Sequence, residues 1–237
     1  MTFSWCQERR AGTRRHRMRS VVLMAALFVF AGGASAAGGV YLATRQPGES
    51  ISQLMGLSSV PNRPAPGFSL HDQFGKTVSL ASFRGKAVAL YFMDPRCIDV
   101  CPLVAHEFIE ADRQLGPLAR HVALVGVDVN PNVRSRASLL SFDREQGLNR
   151  LHNWYYVTGS LAALQRVWAA YSITVQVRPS TLNVVHTAVI DFIAPNGRER
   201  AMAAPGCRYR KNGTGYLPGD ELAQWATGIA SELRRLA

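Results

Sequence analysis

The stretch from Ala87 through Tyr91-Phe92-Met93-Asp94-Pro95-Arg96-Cys97-Ile98-Asp99-Val100-Cys101-Pro102 admits few folds. Its first part, Ala87 to Phe92, is short, apolar and partly aromatic, which reads as a buried strand, and Asp94-Pro95 is a turn signal that ends it. A helix is then predicted from about Pro102 to Leu115, because proline suits the first helical turn and no breaker interrupts Leu103, His106 and Glu107. Both sulfurs therefore fall at a helix N-terminus. Unpaired N–H groups and the positive end of the helix dipole lower thiol pKa there, favouring the thiolate that binds soft metals and attacks disulfides. Three residues separate Cys97 from Cys101, against two in the common redox pair, and the wider mouth admits a metal ion. A purely structural disulfide closing so short a loop would constrain the unfolded chain only slightly.

The segments after this stretch repeat the strand-then-helix order. His121 to Val127 is apolar and β-branched and ends at Asp128, with Asn130-Pro131 beyond; Arg136 to Gln146 has helical spacing, Trp154 to Val157 reads as a short strand, and Leu161 to Tyr171 as a helix. Thr187 to Ile193 and Glu199 to Ala203, around Pro195-Asn196-Gly197, predict a hairpin, and Glu221 to Leu236 an amphipathic closing helix. Before the cysteines, Phe68-Ser69-Leu70 and Val78-Ser79-Leu80 flank a polar turn. Alternating units followed by a hairpin and a helix predict an α/β, thioredoxin-like sandwich over residues 66–237. In that layout the loop entering the hairpin faces the cysteine helix, and His186 stands in it. Thioredoxin-type oxidoreductases keep a cis-proline at this loop, whereas the nearest preceding proline here is Pro179. A histidine beside two thiolates is a candidate metal ligand. His71, His106, His121 and His152 carry no such context, and His106 is predicted to point away from the sulfurs.

The N-terminal part is of a different kind. The 23 residues from Val21 to Ala43 carry no charge, and Arg14, Arg15, Arg17, Arg19 and Arg45 flank them. A helix needs about 20 apolar residues to cross a bilayer, so residues 20–44 are expected to form one transmembrane anchor, residues 1–19 a basic cytoplasmic tail, and residues 45–65, rich in Pro, Gly and Ser, a tether. The domain then lies outside the cytoplasm at the cell membrane; an Arg-rich, acid-poor start also suits a mitochondrial inner-membrane protein facing the intermembrane space. Ala34-Ser35-Ala36 would serve as a cleavage site if the segment is instead a signal peptide. The formal charge of +11 is no nucleic-acid signal, since residues 1–45 hold seven Arg and one Glu, +6 of that total, and the remaining basic residues are scattered. Cys6 would stay inside, leaving Cys207 the odd exported cysteine, in the basic loop Pro205-Gly206-Cys207-Arg208-Tyr209-Arg210.

Taken together, Phe68 to Lys86, Tyr91-Phe92 with Cys97, Cys101 and Pro102, and His186-Thr187 ahead of a strand ending in Pro195-Asn196-Gly197 resemble the SCO/SenC family. The resemblance spans roughly Pro66 to Leu236. It implies a membrane-tethered thioredoxin-like protein that binds copper through Cys97, Cys101 and His186 and helps assemble the dinuclear copper centre of cytochrome c oxidase subunit II. It also implies a copper donor and a thiol reductant as further partners, and a redox-active Cys97–Cys101 pair. One departure stands out. Family members commonly follow this strand with Val-Asp-Pro and a second acid, whereas Val127-Asp128 continues here as Val129-Asn130-Pro131-Asn132. Asp128 is expected to stand behind the ligands and set the electrostatics around them.

The residues themselves leave three chemistries in contention. Two thiolates and an imidazole are a soft, low-coordinate set that suits Cu(I), with Cu(II) as the alternative, and copper outranks zinc in affinity. Zinc would want a fourth ligand or water. A thiol:disulfide reductase would use the same two cysteines. A peroxidase would want Thr or Ser a few residues before a single reactive cysteine, where Asp94, Pro95 and Arg96 stand.

Overall fold

The computed structural model describes residues 51–178, 184–212 and 214–237. The anchor expected at 20–44 lies outside them. Among the described residues no helix is long and apolar enough to cross a membrane.

A six-stranded sheet organises the domain. Strand β4 (Ala87–Met93) is followed by helix α2 (Val100–Leu115), β5 (Val122–Asp128), α3 (Arg136–Gln146), β6 (Trp154–Val157) and α4 (Leu161–Ala170). Strands β9 (Ile190–Ile193) and β10 (Glu199–Ala203) form the hairpin, and α5 (Gly219–Leu236) closes the chain. Pairing is parallel from β4 through β5 to β6, and antiparallel from β4 to β9 and from β9 to β10. Every residue of β4 and β5 is buried, as parallel strands covered on both faces require.

The period-two alternation of β4 divides its side chains between two cores. Ala87, Ala89, Tyr91 and Met93 join Cys101, Val104, Ala105 and Phe108 of α2 and Trp225, Ile229 and Leu233 of α5. Val88, Leu90 and Phe92 join Leu164, Val167 and Trp168 of α4 on the other face. The small hairpin of β2 (Ser69–His71) and β3 (Thr77–Ser79) also packs there through Leu70 and Val78. This is the expected α/β sandwich.

Four features differ from the sequence reading. The expected tether at 45–65 is part of the domain from Ile51 onward: a short helix α1 (Ile51–Leu54) buries Leu54, Met55 is fully buried, and β1 (Ser58–Ser59) adds an edge strand to β10. Helix α2 starts at Val100, because Asp99 caps it, and Pro102 occupies its third position. The strand after His186 begins only at Ile190; His186 itself ends β8 (Val184–His186), which pairs with β7 (Val175–Val177) in a separate two-stranded ribbon. A second ribbon, β11 (Arg208–Tyr209) with β12 (Gly215–Tyr216), precedes α5.

Candidate metal and thiol site

The strand-to-helix junction brings Cys97 and Cys101 together within one turn. Cys97 is half-buried at the mouth, Cys101 is fully buried in the first turn of α2, and both are free thiols. The Cys101 N–H donates to Cys97 Sγ at 3.4 Å, and the Asp94 N–H donates to Cys101 Sγ at 3.5 Å. The Cys97 thiol donates to Asp99 Oδ1 at 2.9 Å, the same oxygen that caps the helix through Val100 N–H at 3.1 Å.

His186 reaches this pair from 85 residues away. Its Nε2 lies 4.0 Å from Cys101 Sγ. Its Nδ1 stands 3.0 Å from the Thr187 carbonyl, which can only accept, so Nδ1 carries the proton and Nε2 presents its lone pair to the sulfur. The Tyr91 ring packs edge-on against the imidazole, with centroids 6.4 Å apart. Burial lowers the His186 pKa, which keeps the ring neutral and able to ligate.

Two ligands bound to one ion at about 2.0–2.3 Å stand roughly 3.5–4 Å apart, so the Cys101–His186 edge already has the spacing of a shared metal. Cys97 does not complete it as it stands, being turned to Asp99. Among the described residues no three His, Cys, Asp or Glu side chains yet surround a common point. The donor chemistry fits a soft ion, with two sulfurs and one correctly tautomerised nitrogen.

The dipole argument for lowered thiol pKa fails at Cys101. Burial, and then the neighbouring Cys97 sulfur, push its thiol well above the ordinary value. Burial likewise pushes the Glu107 carboxyl well above its ordinary pKa further along α2, where neither carboxyl oxygen has a hydrogen-bond partner.

Asp128 sits behind the site, fully buried at the end of β5. It accepts from the Asn130 N–H at 2.9 Å and from the Thr158 hydroxyl at 2.8 Å, and burial raises its pKa to about 7. Its route to the sulfurs passes through Asn130, whose side-chain amide donates to Asp94 Oδ1 at 2.9 Å. A carboxylate could not make that donation. Asp94, Asp99, Asn130 and the Thr187 carbonyl are the site residues the sequence reading missed; an Asp immediately before a helix is the one signal that could have exposed Asp99 as a cap. His71, His106, His121 and His152 are all exposed, while Cys207 is buried at 4% exposure beside the exposed Arg208, Tyr209 and Arg210.

The family model described as SCO1/SenC matches residues 59–209. No curated protein matches the chain in sequence. Among solved structures, Bradyrhizobium japonicum ScoI with copper bound is 23% identical, with 73% of this chain and 99% of that one covered and a TM-score of 0.57. Apo Sco1 from Thermus thermophilus is 24% identical over 75% and 94% of the two chains, with a TM-score of 0.58. BsSco, in which a disulfide switch was identified and which is described as one of the Sco family of cytochrome c oxidase assembly proteins, is 20% identical over 74% and 94%, with a TM-score of 0.54.

Proposed function

The chain belongs to the SCO1/SenC family, and from that premise we propose that it is a copper-binding protein of cytochrome c oxidase assembly, which holds Cu(I) on Cys97, Cys101 and His186 and passes it to the dinuclear copper centre of subunit II. The observation that carries this reading is the orientation of His186. An imidazole whose Nδ1 is tied to the Thr187 carbonyl and whose Nε2 stands 4.0 Å from a buried sulfur is arranged as a ligand. Copper is the cargo. Cys97, half-buried and hydrogen-bonded to Asp99, is the ligand that can turn outward and meet an acceptor first; Cys101 and His186 form the inner edge. We place the domain outside the cytoplasm on a single span at 20–44, which retention of the full-length chain by membranes after alkaline carbonate washing would support.

A second reading rests on the two sulfurs alone. A half-buried Cys97 ahead of a fully buried Cys101 is the order of an attacking and a resolving thiol in disulfide exchange, so a reductase that prepares the subunit II cysteines would use the same pair. The imidazole separates the two. Copper delivery needs all three ligands, whereas exchange needs only sulfur.

The test is anaerobic Cu(I) titration of the full-length chain with wild type and the alanine variants at Cys97, Cys101, His186 and His106. We expect one Cu(I) per reduced chain, none after oxidation of the cysteines, a marked loss of affinity for His186→Ala, and no change for His106→Ala. In cells His186→Ala should abolish assembly of the copper centre as fully as Cys97→Ala does, with disulfide reduction intact. Full oxidase activity in the His186 variant at limiting copper would instead establish the reductase.

A further inference from the structure

The β11–β12 ribbon is mounted directly on the cysteine loop. Gly215 packs against Asp99 so closely that a Cβ there would lie 2.9 Å from Asp99 Cβ and 3.0 Å from its Cα and carbonyl carbon. Asp99 is the residue that receives the Cys97 thiol. Hence whatever touches the ribbon touches the mouth of the site.

The ribbon is basic and exposed. No acidic residue occurs between Arg200 and Asp220, and Arg208, Arg210 and Lys211 stand out in solvent. Arg208 is occupied by an ion pair with Glu221. Arg210 is held over the Tyr216 ring, 4.8 Å from its centroid, and its backbone N–H donates to the Thr214 carbonyl at 2.9 Å, so it is fixed through both side chain and backbone. A guanidinium fixed in this way loses little freedom on meeting a carboxylate. Lys211 lies beside it. On the cysteine loop itself Arg96 is exposed and Ile98 is 70% exposed, an apolar side chain standing out between the two cysteines.

We infer that Arg210 and Lys211 are the docking element for an acidic protein face, one whose carboxylates surround its own copper-accepting thiolates, with Ile98 making the apolar contact at the centre. The inference rests on the copper-delivery reading. A bilayer with anionic headgroups would also attract these cations, but it would have no use for a ribbon seated on the sulfur loop, so the geometry favours a protein.

Lys211→Glu is the primary variant, since it leaves the Arg210–Tyr216 contact in place, and Arg210→Glu/Lys211→Glu is the second. Two measurements are made with the full-length chain and the soluble domain of oxidase subunit II: equilibrium affinity of the copper-free proteins at low and high salt, and the rate of Cu(I) transfer. Copper stoichiometry of both variants should equal wild type. We expect Lys211→Glu to weaken docking and slow transfer by about tenfold at low salt and to flatten the salt dependence. Loss of affinity in the variant supports the inference even if no copper moves, a result that would overturn only the delivery reading. Wild-type affinity, rate and salt dependence in both variants would overturn the inference while leaving delivery intact. So would loss of binding to phosphatidylglycerol vesicles with unchanged affinity for the subunit II domain.

Discussion

At Cys101 the helix N-terminus and the buried position pull the thiol in opposite directions, and burial wins. A thiol held protonated must lose that proton when it ligates a soft cation, so below its raised pKa each pH unit should strengthen Cu(I) binding by about tenfold for this proton alone. Competition titrations against a Cu(I) chelator from pH 6 to 8 measure the slope; a pH-independent affinity would mean the sulfur is already ionised. Asp143 offers the same physics away from the site. Its Oδ1 accepts from Trp154 Nε1 at 2.8 Å, its buried Oδ2 has no partner, and burial raises its pKa to about 7. Folded protein keeps that proton where the unfolded chain, with an ordinary pKa of about 3.9, gives it up. The stability so gained is complete below the unfolded pKa and is lost as pH rises through about 7. Asp143→Asn keeps the acceptor for Trp154 and removes the titration. It should therefore lose less stability than wild type between pH 4 and 8, by roughly 1–3 kcal/mol. Parallel melting curves for the two proteins across that range would refute this.

Elements differ in how plainly the sequence announces them. β4, β5, α3 and α5 were legible because each is long enough for its pattern of apolar residues to declare a face, and Cys97 and Cys101 came with them, being local to one junction. The β7–β8 ribbon was not legible: three residues per strand are too few to show alternation, and Val184-Val185-His186 reads equally well as the start of the next strand. His186 was thus recognised by its chemical company while its supporting element was misassigned. Burial of Cys101 was equally hidden, since it comes from the core it shares with Tyr91, Phe108 and residues of α5. Helix α1 was masked by the Pro- and Ser-rich residues around it, yet it docks on α5 at Gly228, where a Cβ would fall 1.9 Å from Met55 Sδ and 2.8 Å from Ile51 Cγ2. Gly228→Val should lift this segment off. Because this strips Leu54 and Met55 of their burial, the domain should melt at a lower temperature while residues 51–57 become open to limited proteolysis. Unchanged resistance in that segment would show that α1 is held by other contacts.

At the scale of the molecule, the two cores meet at a sheet that brings together parts distant in sequence, and the site inherits this. The sulfurs are neighbours on any partly folded chain, but the imidazole arrives only when β7 and β8 have taken their place against the junction, across the sequence separation of 85 from Cys101 to His186. An ion bound by all three therefore closes a long loop, and it binds the finished fold far better than any unfolded form. Loading should raise the melting temperature, with a gain of about 2.7 kcal/mol when free Cu(I) is 100 times the dissociation constant; His186→Ala should remove most of that gain. Equal stabilisation of wild type and variant by copper would show that the ribbon carries none of the load. The same closure runs in reverse when the ion departs. If the chain delivers copper as proposed, release should unfasten the clasp between β8 and the helix start and leave the looser of the two forms, with amide exchange in β7 and β8 quickening as the copper leaves.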